Sequence, residues 1–367
     1  MNNFFRKSAK IYKWILISVI IQFLVLLFIN NVFLVKKVDR DSMNMSEYEE
    51  SNKSHDLRKG EIIKLALPDG ATECKVSFDG SHAAFLKDNK IEIINLESKV
   101  NVYTMDNSFL AVDRIRDRQS FDAVISYFEW LNDRNTLIYS VHAPDTEDGV
   151  VQLATYNIET DRLHGFPPAM YKLPSGSKAV DIKYSTKTNV IYMKVKTNAN
   201  VADIYRYNIL DQISYVFSTD SSISFFKFSL TDHFVFQDKK NNLSVWDGEI
   251  SEIIPLSIEK SIMLLGVGDN DYIFVGEIDA DSVIKIYYGK FDQPFLEWNS
   301  MDPGKPISKD NILTTDSGKI FELNRNLHCL YEIPSNKKIE FTGEFLYVTD
   351  KFIISTENNE LLAYQYK

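Results

Sequence analysis

The sequence predicts an all-β fold, a β-propeller of about seven four-stranded blades, preceded by one N-terminal transmembrane α-helix. Three observations lead to this prediction. Aromatic residues make up 13% of the chain, and aromatic side chains favour sheets. A unit of turn, strand, hairpin and strand recurs at about the period of a propeller blade. Near the start, 22 consecutive residues carry no charge, which is long enough for a helix to cross a bilayer.

The uncharged stretch is residues 14–35, and it is predicted to be an uncleaved signal anchor. Four basic residues and no acid precede it in residues 1–13. Because positive flanks stay inside, this segment is predicted to be a cytoplasmic tail. No small residues at cleavage-site spacing follow the stretch. We therefore expect a single-pass protein of the cell membrane, with its C-terminal domain extracytoplasmic.

Residues 36–60 are predicted to be a flexible linker. They are polar and charged, with almost no large apolar side chains. Such a stretch cannot bury enough surface to offset the entropy lost on ordering. The propeller domain is then expected to occupy residues 61–367.

Seven copies of the repeating unit follow the linker. One apolar strand residue from each copy marks the repeat, and successive markers lie 38 to 53 residues apart. Four short strands per unit fit this spacing. A pair of β-sandwiches, the alternative all-β architecture, would lack such a fixed repeat. The markers are Phe85, Ile138, Ile191, Val235, Ile273, Ile312 and Ile353.

The ring is expected to close by pairing strands from the two ends of the domain. The last unit ends one strand short, and an extra strand, residues 61–67, precedes the first full unit. We predict that this strand is the outer strand of the final blade, since closure removes exposed sheet edges. Residues 105–119 have the least strand-like pattern of the domain and are expected to be helical.

The turns of the repeat carry a recognisable pattern. Ser77, Asp79 and Gly80 form Ser-x-Asp-Gly before a hydrophobic strand, and residues 130–133 (WLND) repeat it in outline. Over roughly residues 70–350, the units resemble the WD40-like propeller repeats of the TolB and dipeptidyl-peptidase IV N-terminal type. The resemblance implies the architecture and no particular activity, because this repeat is a scaffold in many settings.

Sequence motifs for catalysis and cofactor binding are missing. The chain has no nucleophile-elbow, zinc-protease, phosphate-loop, dinucleotide or EF-hand motif. Its six histidines are scattered, without metal-ligand spacing. No catalytic residue, cofactor or metal site is therefore predicted. Cys74 and Cys329 are expected to be small buried thiols, with a single disulfide between them as the alternative.

The net charge argues against one class of partner. The chain carries −10 overall, and residues 1–35 contribute +4, so the rest carries −14. An acidic domain releases no counterions from a phosphate backbone. A nucleic-acid partner is therefore not expected.

One segment stands out as a candidate contact with a protein partner. It combines two aromatic residues, two prolines and a methionine within six positions. The alternative is a stiff connection packed on the sheet. The candidate residues are Phe166, Pro167, Pro168, Met170 and Tyr171.

Two acid-rich loops, residues 145–148 and 279–281, are interpreted as solvated hairpins. Calcium binding is the alternative, because Ca²⁺ prefers carboxylate and carbonyl oxygens.

The sequence favours a non-enzymatic, membrane-tethered interaction or scaffold module with a protein partner in the envelope. Propeller loops vary freely on a rigid frame, and loops of this kind carry function. Two alternatives remain. One is a hydrolase or lyase acting on an envelope polysaccharide or peptide, with carboxylates in the channel. The other is a ligand-binding sensor domain.

Overall fold

A computed structural model describes most of the predicted domain. The segments 1–13 and 36–60 lie outside the described residues, and of the predicted membrane span 14–35 only Gln22 is included. Within the described part, no helix is long and apolar enough to cross a membrane. The described residues are 22, 62–105, 123–144, 147–166, 170–208, 212–220, 225–227, 233–238, 240, 242–246, 251–268 and 271–366.

The described strands are numbered β1 to β30, and all lie in the compact unit Lys59–Lys367. The first fourteen are β1 Ile62–Ala66, β2 Glu73–Val76, β3 His82–Lys87, β4 Lys90–Asn95, β5 Asn101–Met105, β6 Val124–Trp130, β7 Thr136–Ala143, β8 Gly149–Asn157, β9 Arg162–Gly165, β10 Met170–Leu173, β11 Lys178–Ser185, β12 Val190–Lys196, β13 Val201–Tyr207 and β14 Ile213–Asp220.

The second half of the chain supplies the other sixteen described strands and two short 3-10 turns, Phe295–Glu297 and Lys309–Asn311. The strands are β15 Phe225–Lys227, β16 Phe234–Gln237, β17 Leu243–Trp246, β18 Ser251–Ile253, β19 Ser261–Val267, β20 Ile273–Asp279, β21 Ser282–Gly289, β22 Asn299–Met301, β23 Ile307–Ser308, β24 Ile312–Thr314, β25 Ile320–Asn324, β26 Cys329–Ile333, β27 Lys337–Glu340, β28 Glu344–Val348, β29 Phe352–Glu357 and β30 Glu360–Gln365.

These strands form seven antiparallel sheets, so the predicted seven-bladed propeller is confirmed. Blades 1, 3, 4 and 6 are β2–β5, β11–β14, β15–β18 and β24–β27, each in chain order. Blade 2 is β6–β8 with both β9 and β10 paired to β8, and blade 5 is β19–β22 with β23 added to β21. Blade 7 has the order β28, β29, β30, β1.

The strand that closes the ring, β1, lies where the sequence analysis predicted it. β1 pairs antiparallel with β30, from Ile62 opposite Tyr364 to Ala66 opposite Glu360. Leu65 is 4% exposed and lies opposite Leu361, which is also buried. The first strand of the domain therefore completes the last blade.

Burial depends on a strand's position within its blade. All eight residues of β7, a second strand, are buried, whereas all three residues of β18, an outer strand, are exposed. Blades stack face to face, so the strands in the middle of each blade are covered on both sides. Such strands need continuous apolar runs rather than strict alternation. This explains why the marker residues of the repeat stand out in the sequence.

The hydrophobic core is shared between neighbouring blades. One cluster joins Ala84 and Ile91 of blade 1 to Phe128 and Leu137 of blade 2. Similar clusters join blades 2 to 3, 3 to 4, 4 to 5, 5 to 6 and 6 to 7. No blade buries its faces alone, so the ring is expected to unfold as one cooperative unit.

Two details of the repeat differ from the prediction or lie beyond it. Ile312 is in β24, the first strand of its blade, whereas the other six markers are in second strands; the equivalent buried residue is Phe321 in β25. Unit 6 begins with a very short strand and turn, so the apolar residue chosen as its marker lies one strand too early. Of the segment expected to be helical, residue 105 ends β5, and 106–119 lie outside the described residues.

Both cysteines are free, as expected. Cys329 is fully buried in β26. Cys74 is half-buried in β2, and burial raises the pKa of its thiol well above the usual range.

Candidate functional site at the channel mouth

The first strands of blades 1, 2, 6 and 7 end around one cavity of about 240 Å³. Blades 6, 7, 1 and 2 are consecutive in the closed ring, and four blades can meet at one place only through their innermost strands, so this cavity is a mouth of the central channel. The residues that line it are Lys75, Val76, Ser77, Phe78, Glu129, Trp130, Leu131, Asn132, Thr314, Thr315, Asp316, Tyr347, Val348, Thr349, Asp350 and Lys351.

Long side chains bond each inner strand to the backbone of the next at this mouth. The Tyr184 hydroxyl of blade 3 donates to the Trp130 carbonyl of blade 2 at 3.0 Å. The Trp130 indole donates to the Lys75 carbonyl of blade 1 at 2.9 Å. The Val76 amide of blade 1 donates to the Tyr347 hydroxyl of blade 7 at 2.7 Å. These bonds hold the strand ends, and hence the lining side chains, in fixed positions.

The Ser-x-Asp-Gly turn of blade 1 has a structural role beside the mouth. The Asp79 carboxylate accepts hydrogen bonds from the Ser77 hydroxyl, from the Ser81 amide and hydroxyl, and from the Asn135 amide of blade 2. Burial alone would raise the pKa of Asp79, but the hydrogen bonds outweigh it and the net pKa is lowered. The motif that identified the repeat therefore joins two blades.

Charged groups of both signs converge inside the channel. Lys183 forms an ion pair with Asp181 at 3.0 Å. Burial alone lowers the pKa of Lys183, but the carboxylates of Asp181, Glu129 and Asp316 outweigh it and the pKa lies above its usual range. Lys183 therefore keeps its positive charge, and these carboxylates come from three different blades.

Glu129 has one carboxylate oxygen engaged and one open. Its Oε2 accepts a short hydrogen bond from the Tyr127 hydroxyl, two residues earlier on the same face of β6. Burial, followed by the charge of Glu129, raises the pKa of Tyr127 well above its usual value, so the phenol stays protonated and donates. Among the described residues, nothing donates a hydrogen bond to Oε1.

Lys75 lies beside Glu129 in the ring and is held by an aromatic ring. Its ammonium group lies 5.1 Å from the centroid of Tyr347, an attractive cation–π geometry. Within the described part of the chain, no salt bridge joins Lys75 to Glu129. The Thr314 hydroxyl is buried there and has no protein partner among the described residues. The mouth thus presents a cation and an anion to one small cavity.

The predicted contact segment is only partly at the surface. Met170 is 6% exposed and packs in the core between blades 2 and 3. Phe166 is half-buried against the same core, with its ring edge-to-face to His164 at 4.8 Å and to Tyr207 at 5.7 Å. Pro167, Pro168 and the side chain of Tyr171 lie outside what the structure describes. The two described side chains pack against the sheet, and contact of the segment with a partner stays a prediction.

The acid-rich loop 279–281 pairs with lysines. Asp279 lies 3.0 Å from Lys260, and Asp281 lies 2.8 Å from Lys309. The hydrogen bond and charge of Lys309 lower the pKa of Asp281. Among the described residues, no three histidine, cysteine or acidic side chains are grouped to hold a metal ion. Residues 145 and 146 of the other loop lie outside the described part.

The residues at the mouth were not singled out from the sequence. Lys75, Glu129 and Lys183 each stand one or two positions before an inner strand ends. A charged residue near the end of the first strand, repeated at about the same place in successive units, is the signal that could have found them.

Comparisons with solved structures return propellers of low sequence identity. Dipeptidyl peptidase 4 of Porphyromonas gingivalis is 12% identical, with 74% of this chain and 45% of that chain covered and a TM-score of 0.42. The propeller domain of the Trilobed protease from Pyrococcus furiosus is 15% identical, with coverages of 79% and 83% and a TM-score of 0.39. The WD40 domain of SCAP from fission yeast is 12% identical, with coverages of 82% and 85% and a TM-score of 0.43.

This chain spans less than half the length of the P. gingivalis enzyme and of the Bacteroides ovatus dipeptidyl aminopeptidase that it also matches. No protein-family model matches the sequence, and no curated protein matches it. The resemblance predicted from the repeats is confirmed at the level of fold, which the strand order establishes independently.

Proposed function

We propose that this chain is a membrane-anchored protein whose propeller lies outside the cytoplasm and acts as a non-enzymatic interaction module, binding a protein partner of the envelope at the channel mouth. One observation carries the proposal. Lys75 and Glu129, on neighbouring inner strands, face one cavity of about 240 Å³ without a salt bridge between them.

Such an arrangement favours ligand binding because it is costly without a ligand. Glu129 has the Tyr127 hydrogen bond and the nearby charge of Lys183, and Lys75 has the Tyr347 ring. These contacts replace only part of the hydration that half-buried charged groups lose. A peptide segment offers N–H donors and cationic side chains to the open oxygen of Glu129, and carbonyl acceptors to Lys75. The fixed strand ends around the mouth reduce the ordering cost of binding.

The same groups are less suited to hydrolysis. Glycoside hydrolysis by two carboxyl groups needs one of them protonated at working pH. Here the acidic side chains Asp181, Glu129 and Asp316 surround the ammonium group of Lys183, which is ion-paired with Asp181, and do not form an isolated pair of carboxyl groups. The arrangement supports ionic recognition more than proton donation.

The anchor part of the proposal rests on residues 14–35. Replacing both Leu24 and Leu27 with arginine is expected to release the full-length chain from carbonate-washed membranes, because each arginine costs about 3 kcal/mol at a helix centre. The control replaces Asn30 and Asn31 with arginine near the end of the span and should stay in the membrane. Equal membrane retention of both variants would contradict the anchor.

The mouth part of the proposal predicts loss of peptide binding. A displayed library of random heptapeptides would be selected on the full-length chain held in nanodiscs. Selected clones are expected to lose at least about 10-fold in affinity for the Lys75→Met and Glu129→Gln variants, since truncating one partner of a buried charged pair weakens binding strongly.

Matched controls are available on exposed positions. Lys64→Met on the closing strand and Glu252→Gln on the outer strand of blade 4 change the same residue types away from the mouth. Both should bind the selected clones as the unaltered chain does. Clones that bind all four variants equally, or a selection that enriches nothing, would argue against a peptide site at the mouth.

A further inference from the structure

A second cavity, of about 260 Å³, lies between blades 2 and 3. Its floor is apolar: Ile138 of blade 2 and Ile191 and Tyr184 of blade 3 line it and are each less than 10% exposed. Phe166 and Leu131, both half-buried, complete its apolar lining. We call this cavity the blade 2–3 cleft.

The cleft adjoins the channel mouth. Leu131 lines both cavities, and it follows directly after Trp130, which ends the inner strand of blade 2. Glu129 is two residues away on the mouth side. The charged lining of the mouth and the apolar lining of the cleft therefore lie on either side of one turn.

Phe166 is fixed in the cleft by other rings rather than free to move aside. Its contacts with His164 and Tyr207 are both edge-to-face, the geometry that aromatic pairs prefer. Tyr207 is fully buried, and its hydroxyl has no hydrogen-bond partner among the described residues. The rim of the cleft is polar, with Thr155 and Asn208 from the two blades.

The sizes of the two cavities indicate what they hold. Each is smaller than the roughly 300–1,000 Å³ typical of sites for whole small ligands. Each has room for a side chain or two. In an extended peptide, residues two apart point to the same side at a separation of about 6.8 Å. Two side-chain cavities joined by one turn suit such a segment better than a flat folded surface.

The charge of the propeller favours a basic segment. Residues 36–61 carry a net −1, so with −14 beyond residue 35 the remainder, residues 62–367, carries −13. A field of this sign attracts cationic partners and speeds their association. At the mouth, the open Oε1 of Glu129 is the acceptor that a lysine or arginine would use.

We propose that the mouth and the blade 2–3 cleft together bind one extended peptide segment of a partner protein, with a lysine or arginine on Glu129 and an aliphatic or aromatic side chain, a few residues away, in the cleft. The proposal rests on the proposed function of the mouth and adds the sequence pattern that the partner carries.

Four fluorescent peptides of glycine and serine test it, each acetylated and amidated at its ends. The first contains only glycine and serine, the second also contains one lysine, and the third one leucine. The fourth contains both a lysine and a leucine and is made in versions with the two residues two to four positions apart. Affinities are measured by anisotropy with the full-length chain in nanodiscs, and empty nanodiscs correct for binding to lipid.

The lysine peptide is expected to bind weakly and to be lost with Glu129→Gln. The peptide with both residues should bind about 10-fold tighter or more, because a leucine side chain leaves water. Thr155→Phe, which fills the cleft, should remove this gain and leave the affinity of the lysine peptide unchanged. That unchanged affinity also shows that the variant is folded. Thr104→Phe, on an exposed outer strand, is the matched control and should bind as the unaltered chain does.

The outcomes separate the two proposals. If leucine adds no affinity, or if its gain survives Thr155→Phe, the cleft is not part of the site, while lysine binding lost with Glu129→Gln would still support the mouth. If no peptide binds at millimolar concentration, both proposals fail.

Discussion

Replacing Leu65 with aspartate is expected to lower the melting temperature of the propeller by about 10 °C. Leu65 is 4% exposed on the strand that closes the ring, opposite the buried Leu361. The substitution removes an apolar side chain from the core and leaves a carboxylate there without a partner, which together cost about 4 kcal/mol. For a domain of this size, each kcal/mol corresponds to a few degrees.

The neighbouring residue provides the control for this substitution. Ala66 is on the same strand but faces solvent, so Ala66→Asn keeps the strand pairing, adds no charge opposite Glu360 and should melt within about 2 °C of the unaltered chain. Thermal unfolding of both variants is followed by circular dichroism. Equal melting temperatures would mean that the closing strand contributes nothing to the stability of the ring.

Replacing Gly80 with alanine is expected to destabilise the propeller by about 3 kcal/mol. Gly80 has φ +77°, a conformation that costs any other residue about 1–2 kcal/mol. In addition, a Cβ at this position would clash with Cζ of Phe352, a buried side chain of blade 7. The ring of Phe352 cannot withdraw from a packed core without strain.

Gly70 separates the two contributions to this loss. It also has a positive φ, +82°, but a Cβ there would meet nothing within 4 Å. Gly70→Ala should therefore cost only the conformational part, about 1–2 kcal/mol. The free energies of unfolding come from denaturant titration of both variants. If the two losses are equal, the contact between the blade 1 turn and Phe352 does not limit the size of residue 80.

The fold could be predicted because the propeller repeats a local pattern. Second strands are covered on both faces, so each unit carries an apolar run flanked by turns, and six of the seven marker residues fell in the right strand. The closure of the ring could be predicted by counting strands, because one strand, residues 61–67, precedes the first unit and the last unit is one strand short. Ile312 was assigned to the wrong strand because β24 has only three residues and its turn follows at once.

The candidate site could not be predicted in the same way. Lys75, Glu129, Lys183 and Asp316 are far apart in sequence and meet only because inner strands of different blades converge on the axis. The sequence separation of these residues reflects only the length of the blade repeat and forms no recognisable motif. Conversely, the composition of residues 166–171 suggested an exposed anchor, whereas Met170 serves to fill the core.

The closing strand also has a mechanical consequence. β1 is the first strand of the ring, and five residue pairs join it to β30. Tension applied through the preceding chain would therefore act on this short ladder before it reaches any other strand. Because the strand that takes the load first is also the strand that closes the ring, a pull strong enough to peel it away would open the ring between blades 7 and 1. The hydrogen bonds within the other six blades would stay intact.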